Sequence, residues 1–295
     1  MNLKGIFGAI LYSMRVGLIT PSWPGTETAN GITTAVYHLV SGLRDCGCNV
    51  IILPFAQDRP SGEVPVIPVQ RKRWTFTQKL RGRLERLTGR DGMAVEVQAI
   101  RIAEAVREAQ RRHGLDVIVI EETQGWAGYL QRQIDIPVVI TLHGPWFLHK
   151  SLQSRNTSNQ DQARERREAA ALRTVAGITA PSYAVLAATQ AELHLAKDIP
   201  QVVVRNPIPL PSGQQAGTQD GTNGSNLLFV GRFDRHKGGD TVLAAFEILA
   251  RSHESATLTF VGPDSSFYQK DGTVRDIHEA LAYMCRIPDG SMAVS

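Results

Sequence analysis

The sequence predicts an α/β protein of two doubly wound parallel-sheet domains, the second incomplete, and three observations carry that prediction. Apolar runs at 50–53, 117–120 and 138–141 are continuous in Val, Ile and Leu rather than alternating. Strands of that composition are buried on both faces, which calls for a parallel sheet covered by helices. Stretches of helical period lie between the runs, and a proline-rich break near residue 206 is followed by the same strand–helix–strand order. At 295 residues the chain can bury two modest cores.

Residues 15–20 form the first strand of this reading. Ile32, Val36, Leu39, Val40 and Leu43 then fall on one helical face, which Gly47 ends. Helices at about 93–112, 125–132, 160–174 and 183–196 alternate with strands at 117–120, 138–141, 177–180 and 202–204, closing a first domain over 14–205. Pro207, Pro209 and Pro211 exclude helix and interior strand. The Gly-, Gln-, Thr- and Asn-rich residues after them extend a flexible linker over 206–225. Strands at 226–230 and 257–261 flank a helix near 239–252 and open a second domain, 226–295. Its length of about 70 residues is short for a doubly wound sheet, which usually needs 100 or more.

Apolar content of 42% and charged content of 20% are those of a globular protein. A net charge of +4 suits an anionic ligand or surface, and gives no case for nucleic acid. Cys46, Cys48 and Cys285 have neither disulfide-framework nor zinc spacing and read as reduced thiols. The apolar start around Ile6–Leu11 follows a single lysine and leads into no small-residue cleavage site, so translation from either Met1 or Met14 fits. No run reaches the roughly 18 apolar residues of a membrane-spanning helix, and a cytoplasmic location is expected.

Three segments can carry chemistry. The loop from Pro21 to Gly31 joins the first strand to the first helix, where open parallel sheets bind ligands. It reads either as a structural turn or as an anion cradle, with Gly31 allowing close approach to the helix N–H groups. His143 ends the strand at 138–141, either as a hydrogen-bonded loop histidine or as a titratable group in the crevice. The loop from Gly231 to Asp240 holds Arg232, Arg235 and Lys237 among three glycines, between a strand and a helix. It is either a solvated turn or an anion site, in which Arg232 grips phosphate oxygens bidentately and Lys237 adds a point charge. The histidines show no metal-ligand spacing, so no metal is expected.

Gly231-Arg232-Phe233-Asp234, followed by Lys237-Gly238, resembles the donor-phosphate motif of the retaining glycosyltransferases of family four, the group 1 family of GT-B fold. Thr141-Leu142-His143-Gly144 resembles that family's Thr-x-His-Gly turn, and residues 14–54 its opening strand, glycine loop and helix. Ile178-Thr179-Ala180-Pro181-Ser182 and Val204-Arg205-Asn206-Pro207 are similar to its entries into the last N-domain helix and the second domain. The resemblance covers roughly 14–265 and implies sugar transfer from a nucleotide-diphosphate donor with retained configuration, and no cofactor or metal. Arg232 and Lys237 would neutralise the leaving diphosphate, Gly31 would approach it, and His143 would act near the anomeric carbon as the catalytic contact to sugar or acceptor.

The chain departs from the family at Asn30, where paired glycines are common, and at its end. The paired Glu-x7-Glu motif is missing after Glu279, and residues 286–295 show no strand or helix period. A truncated, inactive remnant or binding module is therefore the alternative to an enzyme; another GT-B enzyme such as a nucleotide-sugar epimerase fits the cation spacing less well. The basic insert at 71–90 sets eight cations beside Trp74 and Phe76, against Glu85. It reads either as a solvated helix or as a contact with anionic membrane, peripheral to the inner face, as a lipid-linked acceptor would favour.

Overall fold

The computed structural model describes residues 14–24, 31–57, 63–70, 75–87, 92–150, 158–196, 198–208, 225–234, 237–262, 267–268 and 274–275. Most of the linker, the insert flanks at 71–74 and 88–91, Cys285, Glu279 and the tail at 286–295 lie outside the described residues. The chain divides into two compact units, Met1–Trp146 with Ser158–Leu210, and Phe147–Thr157 with Pro211–Ser295.

The first unit runs β1 (Arg15–Trp23), α1 (Gly31–Asp45), β2 (Asn49–Gln57), α2 (Phe76–Leu87), α3 (Gly92–His113) and β3 (Val117–Glu121). A 3-10 turn, Thr123–Gly125, leads into α4 (Trp126–Gln131) and β4 (Val138–Thr141). The short α5 (Trp146–Lys150) falls to the second unit from Phe147 onward, and the first resumes with α6 (Asn159–Leu172), β5 (Gly177–Ala180), α7 (Tyr183–Leu193) and β6 (Gln201–Val203). Six parallel strands stand in the order β2-β1-β3-β4-β5-β6. The step from β1 to β2 runs opposite to those from β3 onward. Right-handed crossovers therefore put α1 alone on one face and α3, α4, α6 and α7 on the other.

The asymmetry shows in burial. On the face with four helices, Ile118, Ile120, Ile140 and Ile178 are fully buried, as are Ile102, Leu130 and Leu172 of the helices. Each such side chain contributes about 1.5–3 kcal/mol. On the other face, Val16, Leu18 and Val40 form a core beside α1, while Val117 and Val119 of β3 are only partly buried. Local signals set the helix starts. Ser158 and Asp161 form a reciprocal capping box on α6, and the Ser182 hydroxyl accepts from the Val185 N–H at 3.2 Å to start α7.

One segment departs from expectation. Pro21–Trp23 continues β1 instead of turning, with Ser22 opposite Ala56 and Trp23 opposite Gln57. Pro21 has no N–H to offer and occupies a position without a register partner, so the strand runs past it and buries Trp23.

In the second unit β7 (Asn226–Val230) and β8 (Thr257–Val261) pair in parallel across α8 (Gly239–Ala250), and β9 (Phe267–Tyr268) pairs antiparallel with β10 (Val274–Arg275). Phe233 is buried, and its ring meets Phe260 edge-on at 5.8 Å.

Candidate functional site

In the first unit polar groups collect at the C-terminal ends of β3 and β4. Glu121 closes β3, Glu122 follows it, and His143 lies two residues beyond β4. The Glu122 carboxylate accepts the His143 N–H at 3.0 Å and the Gly144 N–H at 2.8 Å. Glu168 on α6 is fully buried and accepts from the Trp146 N–H at 2.8 Å, the Gln124 N–H at 3.1 Å and Arg164 Nε at 2.7 Å. The Arg164 guanidinium also lies 4.5 Å from the Trp146 ring centre. Two buried carboxylates thus hold the turn carrying His143 by its backbone and leave the imidazole for other work.

Burial sets the electrostatics of this strand end. It pushes Glu121 up to about 7, with the neighbouring Glu122 adding and Arg164 opposing. Burial likewise pushes Glu122 to about 7, against the pull of the backbone N–H groups it accepts. His143 is lowered by burial, which keeps its imidazole neutral at neutral pH. A neutral imidazole and a carboxyl titrating near 7 can each exchange a proton or orient a hydroxyl.

Gly31 opens α1, and a Cβ there would meet nothing within 4 Å, so packing within this unit does not require glycine. Gly31 and His143 belong to the first unit, Arg232 and Lys237 to the second. There Asp234 organises the loop after β7: one carboxylate oxygen lies 2.9 Å from Arg232 and the other accepts the Lys237 N–H at 2.7 Å. Arg232 and Lys237 are both exposed. Gly238 starts α8 in the left-handed region with φ 77°, and the buried Gly239 lies against the Phe233 ring. At Gly262, with φ 149°, an added Cβ would lie 2.1 Å from the Gly231 carbonyl oxygen, so the ends of β7 and β8 approach backbone to backbone. The loop therefore offers two cations near the N–H groups of a helix start, an arrangement suited to an anion.

Glu121, Glu122 and Glu168 escaped the sequence reading. The first two follow the apolar run at 117–120 directly, so the strand-end argument that singled out His143 applies to them equally. Glu168 sits within a charged helix and carries no comparable signal.

A parallel sheet whose strand ends gather these groups, followed by a second strand–helix–strand unit, has the parts of a GT-B fold, and the comparisons with known proteins agree. The family model for Glycosyltransferase Family 4 matches residues 29–210, and the chain belongs to that family. Among solved structures it is similar to sucrose-phosphate synthase from Thermosynechococcus elongatus, at 17% identity and a TM-score of 0.55, covering 85% of this chain and 70% of that one. A UDP-glucosyltransferase from Polygonum tinctorium, capable of glucosylating indoxyl, gives 10% identity and a TM-score of 0.49, with 85% of this chain and 66% of that one covered. No curated protein sequence matches the chain.

Proposed function

We propose that this chain transfers a sugar, with retained configuration, from a nucleotide-diphosphate donor to an acceptor alcohol. The observation that carries the reading is the loop after β7, where Asp234 sets Arg232 and the Lys237 backbone beside the start of α8. As the glycosidic bond to the donor breaks, the departing diphosphate gathers negative charge. Arg232 and Lys237 are the groups that neutralise it. In the first unit Gly31 admits the diphosphate to the start of α1, and His143 contacts sugar or acceptor near the anomeric carbon. The reaction then needs positioning and charge stabilisation, with no metal or cofactor assigned.

Calorimetry with UDP and GDP tests the donor half. Micromolar binding of either, weakened at least about tenfold by Arg232→Ala, is expected from the loss of a charge-assisted phosphate contact. Absence of nucleotide binding removes the transferase reading of this chain and leaves an acceptor-side binding module. Sugar release or transfer from a bound UDP- or GDP-sugar, followed by product stereochemistry, tests retention.

A contact with anionic membrane is the second part of the proposal, and α2 supports it. Phe76, Leu80 and Leu84 are 81%, 53% and 57% exposed, and their spacing puts them on one side of the helix. Lys79 and Arg83 accompany that stripe, while Arg81 pairs with Glu85 and Glu96. An exposed apolar stripe flanked by cations suits the headgroup region. Binding to vesicles containing phosphatidylserine that weakens with salt is expected; equal binding to neutral vesicles counts against it. None of the described helices is long and apolar enough to cross a membrane.

A further inference from the structure

The sheet face that carries α1 alone leaves a groove. The register puts Val16 and Leu18 of β1, Val117, Val119 and Glu121 of β3, Val139 and Thr141 of β4, and Thr179 of β5 on this face. Beside α1 these side chains line a cavity of about 260 Å³, all of it within the first unit. That is slightly below the roughly 300–1,000 Å³ of small-molecule pockets. Its walls are aliphatic along most of their length, with Ile32, Val36 and Leu39 supplied by α1. Polar groups enter at the strand ends: Glu121, Thr141 and Thr179 in a row across three strands, His143 beyond them, and Arg205 and Asn206 from the segment after β6.

That row has unfinished bonding. The Thr179 hydroxyl donates to Thr141 Oγ1 at 2.9 Å, which leaves the Thr141 hydroxyl proton to be given elsewhere. Glu121 is 7% exposed. The Thr123 side chain serves its carboxyl, yet Oε2 is buried without a hydrogen-bond partner among the described residues. A buried carboxyl oxygen left in that condition is costly, and a ligand group that satisfies it recovers the cost. The groove asks for an apolar body, the row for one small group that both donates and accepts. A hydroxyl does both. A carboxylate has no proton to give Glu121 Oε2, even with Arg205 on the wall, and a hydrocarbon would leave Oε2 as it is.

We propose that this groove holds an alcohol with an aliphatic body, and that Glu121 and Thr141 hydrogen-bond its hydroxyl beside His143. The transferase reading enters only in naming that alcohol as the sugar acceptor; Glu121 then selects for the hydroxyl and orients it. A site built around a hydrogen bond to a hydroxyl discriminates strongly against an analogue that lacks the donor.

The test compares 1-octanol with 1-methoxyheptane, which has the same number of heavy atoms and no O–H, by ligand-observed NMR titration of the full chain. Octanol is expected to bind about tenfold more tightly. Glu121→Leu should bring the two affinities together mainly by weakening octanol, whereas Glu121→Gln, which keeps an acceptor and a donor, should preserve most of the preference. Thr141→Val provides a second route to the same loss if Glu121→Leu fails to fold. Equal binding of the two ligands by the unmodified chain, no binding of either, or a preference unchanged in both Glu121→Leu and Thr141→Val would overturn the proposal. UDP calorimetry on the same samples separates the two ideas. UDP binding without an alcohol preference removes the groove and leaves the donor site; an alcohol preference without UDP binding does the reverse.

Discussion

The loops after β4 and after β7 use carboxylates in opposite ways. In the first unit Glu122 and Glu168 are buried, and nearly all their bonds go to backbone N–H groups around His143. In the second Asp234 lies near the surface and engages Arg232, whose side chain is 51% exposed, and the Lys237 backbone. A buried carboxylate with several donors fixes shape, and its removal leaves donors unsatisfied. An exposed ion pair holds little energy, about 0–1 kcal/mol, and leaves its cation free to change partners. The first loop is built to stay still, while the second leaves its two cations exposed.

Glu168→Ala is the severest way to break that contrast. It strands the partly buried Arg164 and two backbone N–H groups, and should cost about 3–5 kcal/mol in denaturant unfolding of the first unit. A loss below about 1 kcal/mol would mean that water replaces the carboxylate, and the two loops would no longer differ in kind. Next, Gly262→Ala should destabilise the second unit by about 3 kcal/mol, because the new Cβ collides with backbone at a left-handed φ. Proteolysis of the second unit, with the first remaining intact, would report it.

Glu121 gives a pH-dependent contrast. Its carboxyl titrates near 4.5 when unfolded and at about 7 when folded. A raised folded value means that its contribution is complete below 4.5 and disappears as pH rises through about 7, an effect of up to about 3 kcal/mol. Glu122 acts in the same direction. His143, lowered by burial, acts in the opposite one, removing stability as pH falls below 6.5. Glu121→Gln compared with the unmodified chain largely cancels both neighbours, so the variant should gain on it as pH rises from 4.5 to 7. A difference that stays flat over that window would show an ordinarily titrating carboxyl. The smallest stability effect belongs to Arg232→Ala, within about 0.5 kcal/mol, even as nucleotide binding falls. A larger loss would make Arg232 structural and weaken the contrast from the other side.

The fold was legible because doubly buried strands and one-sided helices follow different periods. The strands at 138–141, 177–180, 226–230 and 257–261 coincide with their expected bounds. The continuation of β1 through Pro21 was not legible, since proline argues locally for a turn and the pairing that overrides it comes from β2. At the strand ends His143 stood out as a lone titratable residue beside a Gly-Pro turn. Glu121 and Glu122 share that strand-end position and were passed over, because sequence reports their charge but not their burial. Glu168 is set by contacts 22 and 44 residues away, beyond any local pattern.

The meeting of backbones at Gly262 reaches beyond the folded molecule to the gene. With the Gly231 carbonyl oxygen where a Cβ would stand, every side chain is excluded on steric grounds, whatever its polarity. Any glycine codon tolerates all changes at its third base and no amino-acid change from its first two. Under selection for a folded second unit, this codon should drift only at its last letter. Gly31, with open space around it, has no such steric constraint within its own unit. In a saturation library, a filter for folding alone should deplete every substitution at Gly262 and spare Gly31; depletion at Gly31 should appear only when donor binding is the filter.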